Sequence, residues 1–336
     1  MCVGRRLLLP PPPPLTAAPV AHTHVCGPSP SPTATTLSLP LSPPLFPSSL
    51  TLCLLQHATT YGRGGLGTVF VFAAGNEYTV GDDVNTEGWL NSQYTISVAA
   101  IGKDAKHSSY SSVGAPNLIS AGGGDSNHKI NMFTTTPLEE GGCAVGRNNS
   151  IGTSYAAPVV SGVVALILEA NGGLGWRDVQ DILVRSAAPI DMDMVQAEWT
   201  TNAAGFKHSF WYGFGKVDAL AAVIMAESYS AAETNLQQAV VTKSANETIT
   251  IADNDESGGS SVIAVSAEDG AALQSVQHVN VYVNINHNNR GDLVIKLTSP
   301  SGVESVLMPR TVDGVSEQFS TNGAKRSALT HLWPRA

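Results

Sequence analysis

Two stretches of the chain are continuous apolar runs of strand length. Residues 68–76 are apolar up to Gly75 and Asn76, and residues 94–101 repeat the pattern with small and β-branched side chains. Runs that lack alternation predict central strands of a parallel sheet, which is covered on both faces. Asn76 would then stand at the carboxyl end of the first strand. The alternative is that Asn76 is only a turn residue after Gly75.

A third apolar run, residues 156–168, follows a turn formed by Gly152, Thr153 and Ser154. Nearly every position is apolar, which predicts a helix buried on all sides, and Asn171 with the two glycines after it supplies the end. Ser154 would stand at the N-terminus of this helix, where free N–H groups and the helix dipole favour negative charge. A serine alkoxide, or the oxyanion formed when serine attacks a carbonyl, would benefit. Alternatively, Ser154 merely caps the helix.

The N-terminal region differs in composition from the rest of the chain. Residues 1–76 contain no Asp or Glu and hold 13 of the 20 prolines. This composition predicts a low-complexity leader over residues 1–60, extended or disordered, and the early prolines argue against a signal peptide. The glycine-rich residues 62–67 precede a strand instead of following one. They therefore predict the end of a helix and not a phosphate-binding loop.

Beyond residue 230 the hydrophobic period changes from helical to alternating. Apolar residues at positions 279, 281 and 283 alternate with polar ones, and positions 293, 295 and 297 do the same. Several short alternating strands predict a β-sandwich over residues 238–336, although the tail 325–336 does not continue the pattern. Upstream, residues 176–185 predict an amphipathic helix, and residues 102–150 are predicted to be rich in loops.

Size and charge narrow the functional classes. The 336 residues are 43% hydrophobic, enough for one large domain and a smaller one. The net charge of −9 argues against nucleic acid and is compatible with a cationic substrate. No run reaches the roughly 18 apolar residues of a membrane span, so none is predicted. Three of the four cysteines lie in the leader, so no disulfide framework can be derived.

Several strings resemble one enzyme family. Residues 152–158, Gly-Thr-Ser-Tyr-Ala-Ala-Pro, resemble the nucleophile signature G-T-S-x-A-x-P of the subtilisin-like serine proteases, and residues 73–76 resemble that family's A-A/S-G-N segment. Residues 91–95, 211–219 and 286–302 resemble the kexin and furin branch, the last of them its P (P/Homo B) domain. The resemblance implies an α/β fold over residues 61–230, a partial subtilisin-like parallel sheet with flanking helices. An incomplete jelly-roll P domain would follow.

The resemblance also assigns roles to single residues. It implies a calcium-dependent serine endopeptidase of the secretory pathway or extracellular space, acting on proteins and peptides with basic residues. Ser154 would be the nucleophile and Asn76 the side-chain donor of the oxyanion hole. Asp82 would ligate Ca²⁺, and Glu87, where the family has Asp, would line the pocket for a basic side chain. At a position where this branch has another acid, this chain has Ser112. The alternative for Asp82 and Glu87 is that both are solvated charges of a surface loop.

The other two members of the catalytic triad are not found. The family needs Asp, then His, then Ser in chain order, yet no acid precedes Glu77, and His22, His24 and His57 all lack the family's H-G-T context. No catalytic Asp or His is therefore assigned, and the chain as written is expected to be nearly inactive. Two alternatives stay open: a non-catalytic binding chain that keeps the P domain, and an N-terminally truncated or incomplete gene model of an active protease.

Overall fold

The structure is a computed structural model of the 336-residue chain. The residues that it describes are 49–125, 132–135, 143–145, 150–202, 204–230, 240–243, 249–251, 258–266, 268, 276–283, 285, 293–300, 302–309 and 327–332. The predicted leader up to residue 48 and residues 286–292 of the P-domain string lie outside the described residues.

Three parallel strands form the central sheet. In spatial order they are β1 (Phe70–Ala73), β2 (Thr95–Ile101) and β3 (Asn117–Gly122). Strand β2 confirms a predicted central strand, and all seven of its residues are buried. Strand β1 confirms the other predicted strand, but it lies at the edge of the described sheet and its four residues are only half-buried, which corrects the prediction of a central strand. Strand β3 corrects the prediction of loops in this region. The apolar pattern of its sequence is interrupted by polar residues, which form hydrogen bonds inside the core. For example, Ser97 Oγ of β2 donates to Asn117 Oδ1 of β3 over 2.9 Å.

Helix α1 (Ser49–Tyr61) corrects the expectation that the whole leader is extended or disordered. The last twelve residues of the predicted leader, 49–60, are helical, because the prolines that set the composition of the leader all precede residue 48. The helix ends at Tyr61, and Gly62–Gly65 forms a 3-10 turn, so the prediction that the glycine-rich stretch ends a helix is confirmed.

Helix α2 (Thr153–Ala170) packs across all three strands. Its inner side, including Ala156, Val160 and Ile167, belongs to the main hydrophobic core. The prediction that α2 is buried on all sides is wrong, because its outer side is exposed. Within the described part of the chain, α2 is also the one helix whose length and apolar composition would suit a membrane span. Core helices of water-soluble folds meet the same criteria.

Two further helices complete the α/β unit. Helix α3 (Trp176–Ser186) confirms the predicted amphipathic helix and buries Val179, Ile182 and Leu183. Helix α4 (Ala219–Ser228) packs on both α2 and α3. Four short strands form two-stranded antiparallel ribbons on the periphery: β4 (Phe133–Thr135) with β5 (Cys143–Val145), and β6 (Thr200–Thr201) with β7 (Lys207–His208).

The C-terminal strands form two antiparallel pairs. Strand β8 (His278–Val283) pairs with β11 (Ser327–Leu332), and β9 (Ile295–Thr298) pairs with β10 (Glu304–Met308). Strand β11 corrects the expectation that the tail leaves the strand pattern. Leu307 of β10 is fully buried against Ala115 of the α/β unit, so the two parts of the chain share a small apolar cluster.

Candidate active site

The turn before α2 places Ser154 and Asn76 beside the same point. Gly152 has a φ of +147°, a conformation that favours glycine. A Cβ on Gly152 would lie 3.0 Å from Ser154 Oγ and 3.7 Å from Asn76 Oδ1. The N–H of Gly152 donates to the carbonyl of Gly123 over 2.9 Å, which ties the turn to the carboxyl end of β3. The two residues singled out from the sequence are therefore neighbours in space.

Thr153 fixes the orientation of the Asn76 amide. The backbone N–H of Thr153 donates to Asn76 Oδ1 over 2.9 Å, and Thr153 Oγ1 lies 3.0 Å from the same oxygen. A backbone N–H can only donate, so its partner must be the amide oxygen, and Nδ2 is left to donate elsewhere. Asn76 and Ser154 are both exposed. The Asn76 Nδ2 group is thus a donor held beside an accessible hydroxyl.

The carboxyl end of β1 is clamped from two sides. The N–H of Gly75 donates to Thr153 Oγ1 over 3.2 Å, and the N–H of Ser112 donates to the Gly75 carbonyl over 3.0 Å. Beyond it, the N–H of Asn76 donates to the Glu77 carboxylate, and the N–H of Glu77 donates to Ser112 Oγ over 3.1 Å. The backbone that carries Asn76 is therefore held by neighbours on both sides of the chain.

The described residues bring no base to Ser154. Its hydroxyl makes no hydrogen bond with an imidazole or a carboxylate of the described segments. Burial lowers the pKa of both His107 and His208 to about 4, and each ring is bonded through Nε2 to a backbone carbonyl elsewhere. The exposed His57 ring contacts Tyr61 on α1 instead. The Ser154 hydroxyl is exposed, and no imidazole or carboxylate of the described residues accepts its proton.

Asp82 is engaged within its own loop. Its Oδ1 accepts hydrogen bonds from Thr86 Oγ1 over 2.7 Å and from the N–H of Asp83 over 3.0 Å. Among the described residues there is no group of three or more His, Cys, Asp or Glu that could hold a metal, and Ser112 Oγ is bonded to the Glu77 N–H. Ca²⁺ takes about six to eight oxygen ligands, several of them carboxylates. The residues around Asp82 therefore do not fit a calcium ion.

Glu87 lies exposed at the other end of the same loop. It directly follows the 3-10 helix Val84–Thr86, and its backbone carbonyl accepts the N–H groups of Leu90 and Asn91 over 2.9 and 3.2 Å. Those bonds fix the backbone at Glu87 and leave its side chain at the surface. No described contact joins Glu87 to Ser154 or Asn76.

Asn85 is a structural residue that the sequence did not reveal. Its side chain is 1% exposed, and Nδ2 donates to the carbonyl of Leu307 in β10 over 2.8 Å. Its own carbonyl accepts from Asn91 Nδ2 over 2.9 Å, and its N–H donates to Asp83 Oδ1 over 2.8 Å. Asn85 therefore links the loop that carries Asp82 and Glu87 to the C-terminal strands. Its partner Leu307 lies 222 positions away in the sequence, so no local pattern indicates this role.

One protease class combines three of these features: the end of a parallel strand, a helix that starts at a Gly-Thr-Ser turn, and a carboxamide beside that serine. Comparison with known families assigns the chain to the same class. The chain belongs to the subtilase family, whose model matches residues 46–215, about half of the chain. A proprotein convertase P-domain model matches residues 276–334, which includes β11. The predicted class and its kexin-like branch are thereby confirmed, as is the subtilisin-like α/β fold.

Two curated relatives support the same family, and one solved structure supports the fold. The chain is 37% identical to the dibasic-processing endoprotease of Schizosaccharomyces pombe over 78% of its own length and 36% of that protein. It is 36% identical to proprotein convertase subtilisin/kexin type 5 of Rattus norvegicus over 81% of its length and 15% of that protein. A crystal structure of the Aeromonas sobria serine protease superposes with a TM-score of 0.66 at 22% identity, covering 87% of this chain and 60% of that one. The chain thus spans about a third or less of the two curated relatives.

Proposed function

We propose that this chain carries the nucleophile and the oxyanion hole of a serine endopeptidase of the kexin and furin type. The observation that supports the proposal most directly is that Ser154 Oγ and Asn76 Oδ1 both lie within 4 Å of the position that a Cβ on Gly152 would occupy, at 3.0 and 3.7 Å. A hydroxyl beside a fixed amide donor is the arrangement that acyl transfer requires. Family membership and the P-domain match support the same reaction class.

In the proposed step Ser154 Oγ attacks the carbonyl carbon of a peptide bond. The carbonyl oxygen becomes an oxyanion, which accepts hydrogen bonds from the Ser154 N–H and Asn76 Nδ2 at the N-terminus of α2. Loss of one such donor costs about 10²–10³ in kcat, a figure measured in subtilisin, itself a member of this family. The Thr153 N–H donates to Asn76 Oδ1, so Asn76 Nδ2 is directed away from Thr153.

The attack also requires a base to accept the Ser154 proton. No acid precedes Glu77 in the sequence, and no described imidazole contacts Ser154. In subtilisin, loss of the nucleophile or the histidine costs about 10⁶ in kcat, and roughly 10³–10⁴ over water remains from binding and the oxyanion hole. We infer that the sequence as written works near that residual level on its own.

The proposed substrates are proteins and peptides with basic residues at the cleavage site. An exposed carboxylate on Glu87 and the net charge of −9 suit a cationic peptide. The fission yeast relative is named for dibasic processing. The resemblance to the kexin and furin branch also implies calcium dependence, but calcium takes no part in the proposed step because the residues around Asp82 do not fit the ion.

The proposal is tested by treating the full chain with a biotinylated fluorophosphonate and mapping the modified serines by mass spectrometry. We expect slow modification at Ser154, lost in Ser154→Ala and slowed about tenfold or more in Asn76→Ala. Ser161, whose hydroxyl donates to the Ala157 carbonyl on the same helix, is the internal control.

The outcomes separate the alternatives. If Ser154 reacted no faster than Ser161, or if Asn76→Ala had no effect, the protease assignment would fail and a non-catalytic binding chain would be favoured. If Ser154 reacted as fast as the serine of the intact fission yeast endoprotease, the inference of residual activity would be wrong while the assignment of the nucleophile would stand.

A further inference from the structure

The hydroxyl of Tyr110 lies against the turn that carries Ser154. It accepts the N–H of Gly152 over 2.8 Å. Its one proton can be donated to the carbonyl of Gly123 or to that of Gly124, which lie 2.7 and 2.9 Å away. The Gly152 N–H also donates to the Gly123 carbonyl over 2.9 Å. The Tyr110 side chain and two backbone groups thus meet at one point, two residues before the candidate nucleophile.

The backbone of the same residue holds the other part of the candidate site. The carbonyl of Tyr110 accepts the N–H of Tyr78 over 3.2 Å, and Tyr78 follows Asn76 by two positions. Tyr110 therefore contacts the chain next to Asn76 through its backbone and the chain next to Ser154 through its side chain. One tyrosine side chain spans the two segments that carry the candidate oxyanion donors.

The packing around Gly123 leaves the turn little freedom to move. A Cβ on Gly123 would lie 2.7 Å from Ala100 Cβ, 2.8 Å from the Gly152 carbonyl oxygen and 3.1 Å from Tyr110 Oη. These distances are shorter than the roughly 3.5–4.0 Å that is optimal between carbon atoms. The Tyr110 ring itself packs against the main hydrophobic core. Because no empty space separates these groups, the position of the hydroxyl constrains the position of Gly152.

The chemistry of the hydroxyl suits a structural contact and not proton transfer. Burial raises the pKa of Tyr110 above its usual value, and the negative charge of Asp125 acts in the same direction. The phenol is therefore neutral at neutral pH, so it can accept one hydrogen bond and donate another but cannot serve as the base for Ser154. A phenylalanine would fill the same space and make neither bond.

A second tyrosine shows what a contact that serves only the fold looks like. Tyr212 is fully buried, and its hydroxyl accepts the N–H of His107 over 2.9 Å and donates to Asp191 Oδ2 over 2.8 Å. None of these partners lies in the segments that carry Asn76 and Ser154. Tyr110 differs because its two contacts each fall two residues from a member of the candidate site.

We propose that Tyr110 is a positioning residue: its hydroxyl holds the Gly152 peptide where the Ser154 N–H and Asn76 Nδ2 can bind the same oxyanion. The inference rests on the proposed function, which assigns these two groups as the donors. Tyr110 does not touch the reacting atoms and acts only through Gly152. When the hydroxyl is removed, the Gly152 N–H keeps the Gly123 carbonyl as a partner, so the turn should loosen without unfolding.

The test compares Tyr110→Phe with Tyr212→Phe in the full chain. Each substitution removes one tyrosine hydroxyl that accepts a backbone N–H, so both should lower the urea midpoint. In the absence of urea, we expect Tyr110→Phe to slow fluorophosphonate labelling of Ser154 about three- to tenfold, less than the loss of a whole oxyanion donor. Tyr212→Phe is the matched control and should label like the wild-type chain. Equal slowing in both variants, or an unchanged rate in Tyr110→Phe, would overturn the inference.

A double variant separates positioning from a general loosening of the fold. If Tyr110 acts by aligning Ser154 with Asn76, its hydroxyl should matter little once the Asn76 amide is gone. We therefore expect Tyr110→Phe to slow labelling by less than about twofold in the Asn76→Ala background, because the two substitutions remove parts of one arrangement. Effects that multiply independently would contradict a positioning role.

Amide hydrogen exchange distinguishes a failure of this inference from a failure of the proposed function. We expect exchange at the Gly152 and Thr153 amides to rise about threefold or more in Tyr110→Phe and to stay unchanged in Tyr212→Phe. If Ser154 labelled no faster than Ser161 while this exchange rose, Tyr110 would still hold the turn and the proposed function would be refuted. Unchanged exchange in Tyr110→Phe would overturn the inference whatever the labelling rate.

Discussion

The Thr153 hydroxyl lies between the Gly75 backbone and the Asn76 side chain. It accepts the Gly75 N–H over 3.2 Å, and its one proton can be donated to the Gly75 carbonyl or to Asn76 Oδ1, which lie 3.2 and 3.0 Å away. Thr153 itself is fully buried. One side chain therefore joins the end of β1 to the start of α2, and it does so next to the candidate nucleophile.

Replacing this hydroxyl should disturb both stability and the Asn76 amide. Thr153→Val keeps the shape but leaves the Gly75 N–H without its acceptor, at a cost of about 1–3 kcal/mol in the free energy of unfolding. We expect a lower urea midpoint and slower fluorophosphonate labelling of Ser154. Thr153→Ser keeps the hydroxyl and serves as the control. Equal labelling rates for the Val and Ser variants would contradict the positioning role.

The Asn85 link to β10 predicts coupling between the two parts of the chain. Asn85→Ala leaves the buried Leu307 carbonyl without its donor, and we expect a loss of about 1–3 kcal/mol in unfolding free energy, measured by urea denaturation. Glu304→Gln on the same strand is the control, because the Lys296 ion pair that it breaks is exposed on both sides and contributes little. A similar small effect for both variants would exclude this coupling.

Glu87 should contribute to the binding of cationic peptides. Replacing Glu87 by Gln removes one exposed charge, so we expect the affinity for a fluorescent peptide with two adjacent basic residues, measured by anisotropy at low salt, to fall about two- to fivefold. Glu227→Gln, an exposed acid at the end of α4, is the matched control. If both substitutions weakened binding equally, only the net charge would matter and Glu87 would not line a specific pocket.

The loop around Asp82 should be indifferent to calcium. Its carboxylate already accepts two hydrogen bonds, and no cluster of acids surrounds it among the described residues. We expect that Asp82→Asn, which keeps the acceptor oxygen, leaves the response of the thermal midpoint to added Ca²⁺ or EDTA identical to that of the wild-type chain. A calcium-dependent stabilisation that disappears in Asp82→Asn would show that this residue binds the ion after all.

Acid should destabilise the fold through His208. Burial lowers the pKa of this ring to about 4 in the folded chain, against about 6.5 when unfolded. Between these values the unfolded state binds more protons, so stability is complete above about pH 6.5 and falls towards pH 4, by up to about 3 kcal/mol. His208→Gln should flatten the dependence of the urea midpoint on pH over this range, and the exposed His57→Gln is the control. An unchanged slope in His208→Gln would refute the assignment.

Short contiguous strings were enough to predict the two elements beside the candidate site. Strand β1, which ends at Ala73 shortly before Asn76, and helix α2, which starts beside Ser154, are both encoded within ten residues or so, which is why their types were predicted correctly. Local patterns could not reveal how Thr153 joins them, because that contact spans 78 positions. Similarly, Asn85 has no distinguishing local context, and its partner lies in another part of the chain.

The incorrect predictions also have physical causes. Strand β3 was taken for loop because its core polar groups satisfy one another, as Ser97 and Asn117 do. Helix α1 was obscured by averaging its composition with the proline-rich residues before it. The apolar composition of α2 correctly predicted a helix, but its predicted burial on all sides was wrong, because the described residues cover only its inner side. A sequence pattern indicates which surfaces are apolar, but only the packed structure shows which residues cover them.

Strand β1 stands at one edge of the sheet formed by the described strands, and this position has a consequence for handling the protein. Its sequence, Phe-Val-Phe-Ala, contains neither the lysine nor the proline with which natural sheets often block unwanted pairing at an edge. At high concentration an apolar edge strand of this kind is a template for identical strands from other molecules. Preparations of the chain should therefore be kept dilute.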